Sequence, residues 1–271
     1  MPVIIDGTNG VSTPNTFAFK NRIIDGGFTI NQRGYTSGTS LSSGSYGHDR
    51  WKGGASGGTY TFTQGSTGVN TTITITAGSI IQVIEGANLP EGGTYVLSWT
   101  GTAQGKIGSG SFGASGITGT ITAGTNTNIE FNTGTCGNVQ LEVGSTATSF
   151  DYRPYGTELQ LCQRYCYKYC GSGLYEPTGF NGVASSATRV YTTFNTPTQM
   201  RATPTLSFST LRIDDWSNGY TLTAMALDAS SSGKVVIAYA DIGSSSLTQY
   251  RYYSIIANNS TSAYSILSAE L

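Results

Sequence analysis

Charge is the scarcest ingredient of this 271-residue chain: Asp, Glu, Lys and Arg together make up 11% of it, against roughly 25% in ordinary soluble domains. The formal net charge is -1, and no run of Lys or Arg occurs. A nucleic-acid groove needs clustered cations to displace phosphate counterions, so a nucleic-acid partner is disfavoured. No apolar run approaches the ~20 residues of a spanning helix, which argues against membrane insertion. Met1 to Gly10 lacks the basic start and apolar core of a secretion signal, so synthesis in a cytoplasm without routine export is expected. Histidine occurs once, at His48, and cysteine four times, at Cys136, Cys162, Cys166 and Cys170. A disulfide between helical positions four apart is awkward, and a cytoplasmic origin disfavours one. Structural zinc usually wants four ligands, and His48 is distant in sequence. The cysteines therefore read as buried free thiols packing as small hydrophobes. No metal or cofactor is expected. Collagen-like and heptad repeats are missing too, so no long shaft is encoded.

What the chain has instead is 37 Gly, 17 Tyr, 10 Phe, 3 Trp and a hydrophobic share of 37%. That supports a core and argues against disorder. Alternation of period two runs through Gly58–Gln64, Thr72–Thr76, Thr94–Thr100 and Gly137–Val143, bounded by Gly-rich turns. This predicts an all-β domain over residues 21–155, an antiparallel sandwich or jelly roll. Residues 1–20 read as a short arm. Residues 156–171 break the pattern: Leu159, Cys162, Cys166 and Cys170 recur at helical spacing, with Thr157 as N-cap and Gly171 as stop. The expectation is a connecting helix over 157–170. Residues 172–271 return to strands, at Ala187–Phe194, Pro204–Ser209, Val235–Tyr239 and Tyr250–Ile256, and the chain end from Ile266 is expected to be packed.

Three segments together resemble bacteriophage tail-fibre and receptor-binding proteins: Asn21–Arg33 followed by Asp49-Arg50-Trp51; Val139–Phe150 running into Tyr152–Gly156; and Glu158–Tyr165. Met200–Thr205 and Ala269–Leu271 are similar to that group as well. The first two segments also resemble the opening and closing strands of carbohydrate-binding-module jelly rolls. Those modules commonly carry an acidic residue where Thr29 follows Phe28, and a structural calcium nearby, so the resemblance implies the fold near Asp25 rather than the ion. It implies a virion protein of the phage tail fibre, made in the host cytoplasm. It further implies a homotrimer that attaches through residues 1–20 to other virion proteins and binds a host-surface glycan. A head fibre or capsid decoration protein, or a glycan-cleaving tail spike, would share parts of this pattern. The cleaving reading lacks a β-helical repeat and a nucleophile motif.

Sugar binding needs aromatic faces and planar polar groups. Trp51 and Trp99 read as core. Tyr35 and Tyr46 sit in a Gly/Ser-rich loop, where they either cover the sandwich or meet a partner. The strongest candidate is the loop holding Asp214, Asp215, Trp216, Asn218 and Tyr220, a functional loop on a rigid β scaffold. Its bland alternative is a hairpin turn, since Asn218-Gly219 is a type I′ signal. Tyr250, Tyr252 and Tyr253 are expected to divide between core and surface. Leu159, Cys162 and Cys166 are expected to meet around a trimer axis.

Overall fold

The computed structural model describes residues 4–6, 10–12, 19–169, 172–244 and 246–271, the first two stretches as backbone only. The chain divides into two compact units, residues 1–159 with residue 271, and residues 160–270. Every named strand pairing within them is antiparallel. Of the expected arm, β1 (Ile4–Asp6) and β2 (Gly10–Ser12) form a small hairpin. Phe19 and Lys20 are described as well, and the rest of the arm lies outside the described residues.

The first unit contains β3 (Ser40–Leu41), β4 (Lys52–Thr61), β5 (Ile73–Ile84), β6 (Gly93–Thr100), β7 (Gly105–Ile107), β8 (Ile117–Ile121), β9 (Thr127–Phe131) and β10 (Gly134–Val143). Their order is β3-β4-β5-β10-β6-β8, with β9 pairing both β5 and β7. Strand β5 divides its edge: Ile73–Ile75 pair with β10, while Ile80–Ile84 pair with β9. That split curls the sheet into a half-barrel around Trp51, Tyr60, Tyr95, Trp99 and Phe131. Burying side chains of this size contributes roughly 1.5–3 kcal/mol each.

The segment 21–33 forms no strand, yet it is fixed by side chains that imitate a ladder. Asn21 donates from Nδ2 to the Val139 carbonyl and accepts the N–H groups of Ile23 and Leu141. Gln82, fully buried, both donates to the Ile24 carbonyl and accepts its N–H. Asp49 accepts the Gln32 N–H at 3.0 Å, Arg50 donates to the Val83 carbonyl, and the Trp51 indole donates to the Asp25 carbonyl at 3.0 Å. Asn21, Asp49 and Trp51 thus hold the segment in place.

The helix is shorter than its spacing suggests. α1 spans Tyr155–Gln163, opening where the Pro154 carbonyl accepts the N–H groups of Thr157 and Glu158, so Thr157 lies inside it rather than capping it. The chain then becomes β11 (Cys166–Tyr169), paired residue for residue with β19 (Tyr264–Ser268). Cys166 therefore belongs to a strand, and the expected helix over 157–170 is corrected. The Tyr-rich run 165–169 has strand propensity, and an available sheet edge outweighs three- and four-residue spacing. Cys170 and Gly171 lie outside the described residues. Cys162 and Cys166 are fully buried in the single chain and Leu159 is half-buried, so the two thiols leave no stripe for a partner subunit.

In the second unit, β11, β19 and β14 (Thr205–Ser209) form a three-stranded sheet. Strands β12 (Pro177–Ala184), β13 (Arg189–Asn195), β15 (Leu211–Asp214), β16 (Gly219–Leu227), β17 (Val235–Ile242) and β18 (Tyr252–Ala257) close into a barrel in the order β12-β13-β17-β16-β15-β18. Its interior is filled by Phe180, Val190, Ile213, Val236, Ala238, Tyr253 and Ile255. The chain end is packed through β19, where Leu267 is fully buried.

Candidate functional site

Strands β15 and β16 are joined by the four residues 215–218, since Asp214 and Gly219 already pair across the ladder. A two-residue turn at Asn218-Gly219 is therefore not what forms. Trp216 takes the positive φ, 68°, a conformation that a bulky residue holds only when its surroundings insist. Here the surroundings are carboxylates. Asp214 accepts the Trp216 N–H at 2.7 Å, and Asp215 accepts the N–H groups of Ser217 and Asn218 at 3.0 and 2.7 Å. Each carboxylate also holds a guanidinium: Asp214 that of Arg212, and Asp215 that of Arg251 at 3.0 Å. Partial burial lifts the Asp215 pKa, but the Asn218 and Ser217 N–H groups and Arg251 outweigh it and hold the carboxyl below its usual range.

The two aspartates expected to meet a ligand build the loop. They present Trp216, which is 74% exposed. Behind it lies a cleft of about 310 Å³ lined by Tyr175, Arg212, Asp214, Trp216, Asn218 and Ile256, among others. Arg212 stacks over the Tyr175 ring at 4.8 Å. A Cβ on Gly219 would come within 2.6 Å of that guanidinium, so glycine there leaves Arg212 its place. Asn218 is exposed, whereas Tyr220 is half-buried and packs against the barrel core.

More aromatics surround the hairpin at the same end of the barrel. Ser254 is opposite Asp214, so Tyr252 falls level with the hairpin tip. Tyr252 is 58% exposed and Tyr250 79%, while Tyr253 points inward. This end also carries the 185–188 turn, the 243–251 connection and the Arg189–Asp241 pair. The connections to β11, β14 and β19, and the β16–β17 turn, lie at the opposite end. Sequence reasoning missed Tyr175, Tyr191, Arg189, Arg212 and Asp241. The partners Arg189 and Asp241 stand 52 residues apart and meet only through the β13–β17 register.

The candidates in the first unit fare differently. Tyr35 is a core residue: it packs against Tyr60 at 4.7 Å and its hydroxyl donates to the Thr39 carbonyl. Tyr46 is half-buried beneath the Arg33 guanidinium at 4.9 Å. Around Asp25, Oδ1 accepts the Thr29 and Ile30 N–H groups, and burial, then Asp49, push the carboxyl well above its ordinary range. No group of three His, Cys, Asp or Glu side chains suited to a metal occurs among the described residues. The recess beside it, about 30 Å³, has room for little more than a water. A groove of about 540 Å³ between Ile107 and Asn128 is lined by hydroxyls, amides, glycines and two isoleucines, without an aromatic face.

No protein-family model matches the chain, and no curated protein matches it either.

Proposed function

We propose that the chain is a receptor-binding protein of a phage tail fibre, and that the barrel end bearing the 215–218 hairpin takes a host-surface glycan. The observation that carries this reading is Trp216, an indole held in solvent at positive φ by two carboxylates and backed by a cleft. An apolar ring exposed at the cost of backbone strain points to a ligand. The indole supplies a stacking face; Asn218 and the Arg212 guanidinium supply planar hydrogen-bonding groups. Asp214 and Asp215 act as positioning residues, and both are engaged by arginines rather than poised as an acid and base pair, which favours binding over glycan cleavage. The arm at residues 1–20 attaches the chain to other virion components. Three copies raise a weak single-site affinity without new contacts.

The test is competition of the purified chain with phage adsorption to host cells. Trp216→Ala should weaken competition by at least about tenfold, the scale of a central interface aromatic, with an unchanged melting temperature. Full competition by Trp216→Ala, with loss on Tyr46→Ala, moves the site to the first unit.

A further inference from the structure

A second recess lies on the same barrel end, and the hairpin contributes nothing to it. Tyr252, Val183, Tyr191 and Tyr239 occupy directly opposed positions on the adjacent strands β18, β12, β13 and β17. Direct opposition puts all four side chains on one face of the wall. That face is the outer one, since the flanking Tyr253, Ala184, Val190, Ala238 and Ala240 are buried. Tyr191 is 39% exposed, with its ring 6.0 Å from that of Tyr239. The row crosses three strand spacings, roughly 14 Å, longer than a single sugar ring.

Beside the row, Arg189 grips Asp241 through two parallel hydrogen bonds of 2.6 and 2.7 Å and lies over the Tyr239 ring at 4.2 Å. The pair is thereby locked as one flat plate carrying donors and acceptors side by side. Vicinal hydroxyls of a pyranose present the complementary edge: one accepts from the guanidinium while its neighbour donates to the carboxylate. Ser185, Ser186 and Thr188 line the same opening with Tyr191, and its volume is about 540 Å³, within the range of small-ligand sites.

Charge decides the ligand class. Among the described residues at this barrel end the cations are Arg189, Arg212 and Arg251, and each is paired with an aspartate: Asp241, Asp214 and Asp215. An anionic sugar brought to any of these guanidinium groups also meets its carboxylate, so the attraction is largely cancelled. Loss of a Coulombic gain leaves stacking and hydroxyl hydrogen bonds, which salt screens little.

We propose that the Arg189–Asp241 plate and the Tyr191 face form a second saccharide subsite, specific for uncharged pyranoses, so that the barrel end reads a neutral oligosaccharide at two places. This rests on the glycan-binding reading of the hairpin.

The experiment is binding of the full chain to a printed panel of neutral hexose oligosaccharides, from single sugars to tetrasaccharides, with sialylated and sulfated counterparts, at low and high salt. Wild type should retain neutral tetrasaccharides, equally at both salts. Tyr191→Ala should weaken them about tenfold and leave single hexoses held at the Trp216 cleft unaffected. Tyr191→Phe, which keeps the ring, should bind as wild type. If Tyr191→Ala binds every neutral glycan normally while Trp216→Ala loses them, the second subsite is wrong and the hairpin reading stands. Preference for the anionic sugars, fading with salt, overturns the neutral specificity. Retention of no glycan by wild type overturns both readings.

Discussion

His48 is the only imidazole in the chain and it is sealed inside the first unit. The Tyr60 hydroxyl oxygen accepts the His48 N–H at 2.8 Å and lies 3.0 Å from Nδ1, while Nε2 faces the Gln64 carbonyl oxygen at 3.1 Å. This suits the neutral ring with its proton on Nε2. Burial lowers the pKa to about 4, with Gln64 opposing. The folded state therefore binds fewer protons than the unfolded state between the ordinary value near 6.5 and about 4. Stability from this group is complete above that window and falls as pH drops through it, by up to about 3 kcal/mol. Asp25 acts with the opposite sign, since its raised pKa favours the folded state as the carboxyl protonates. Urea titrations of wild type and His48→Gln across pH 7 to 4 separate the two, because only the wild type should show the His48 slope. Parallel pH profiles would contradict the assignment. At the same scale, the identity of the loop residues was legible: Trp216 is the exposed indole the sequence suggested. The roles of Asp214 and Asp215 were not, because Arg251 reaches Asp215 from another strand.

At the scale of elements, strands announced themselves where one face is buried, as in β13 and β17, since alternation records that burial. Short or Gly-rich strands such as β7, β8 and β12 left too little pattern. β11 was hidden by a spacing of cysteines that a helix satisfies equally well. In β12, Gly182 is demanded by its neighbour: a Cβ there would stand 1.8 Å from the Tyr191 carbonyl oxygen. Backbone atoms cannot yield as a side chain tip can. Gly182→Ala should separate β12 from β13 and lower stability by about 1–3 kcal/mol, the cost of overpacking. Urea unfolding would show this as a lower midpoint at unchanged slope. The displaced Tyr191 should also weaken neutral tetrasaccharide binding. A variant of wild-type stability would mean that the strands part without cost.

At the scale of the whole molecule, the helical stripe offers no ground for a trimer, since Cys162 and Cys166 are covered within one chain. The trimer belongs to the proposed receptor-binding reading, in which three copies would act together. Sedimentation equilibrium should return three times the chain mass of 28.4 kDa, unchanged on dilution through the micromolar range. A mass of one chain would remove the avidity argument while leaving the hairpin cleft as it is. By itself the sequence determined the class of the molecule. Scarce charge, abundant Gly and Tyr, and period-two alternation admit little but antiparallel sheets, because these signals act locally along the chain. The tertiary structure alone decided where six strands close into a barrel, and with it which tyrosines line up on the outer wall. It also decided that every arginine at that barrel end meets an aspartate. Those arrangements depend on register between strands tens of residues apart, and a slip of one residue would turn each such side chain to the opposite face.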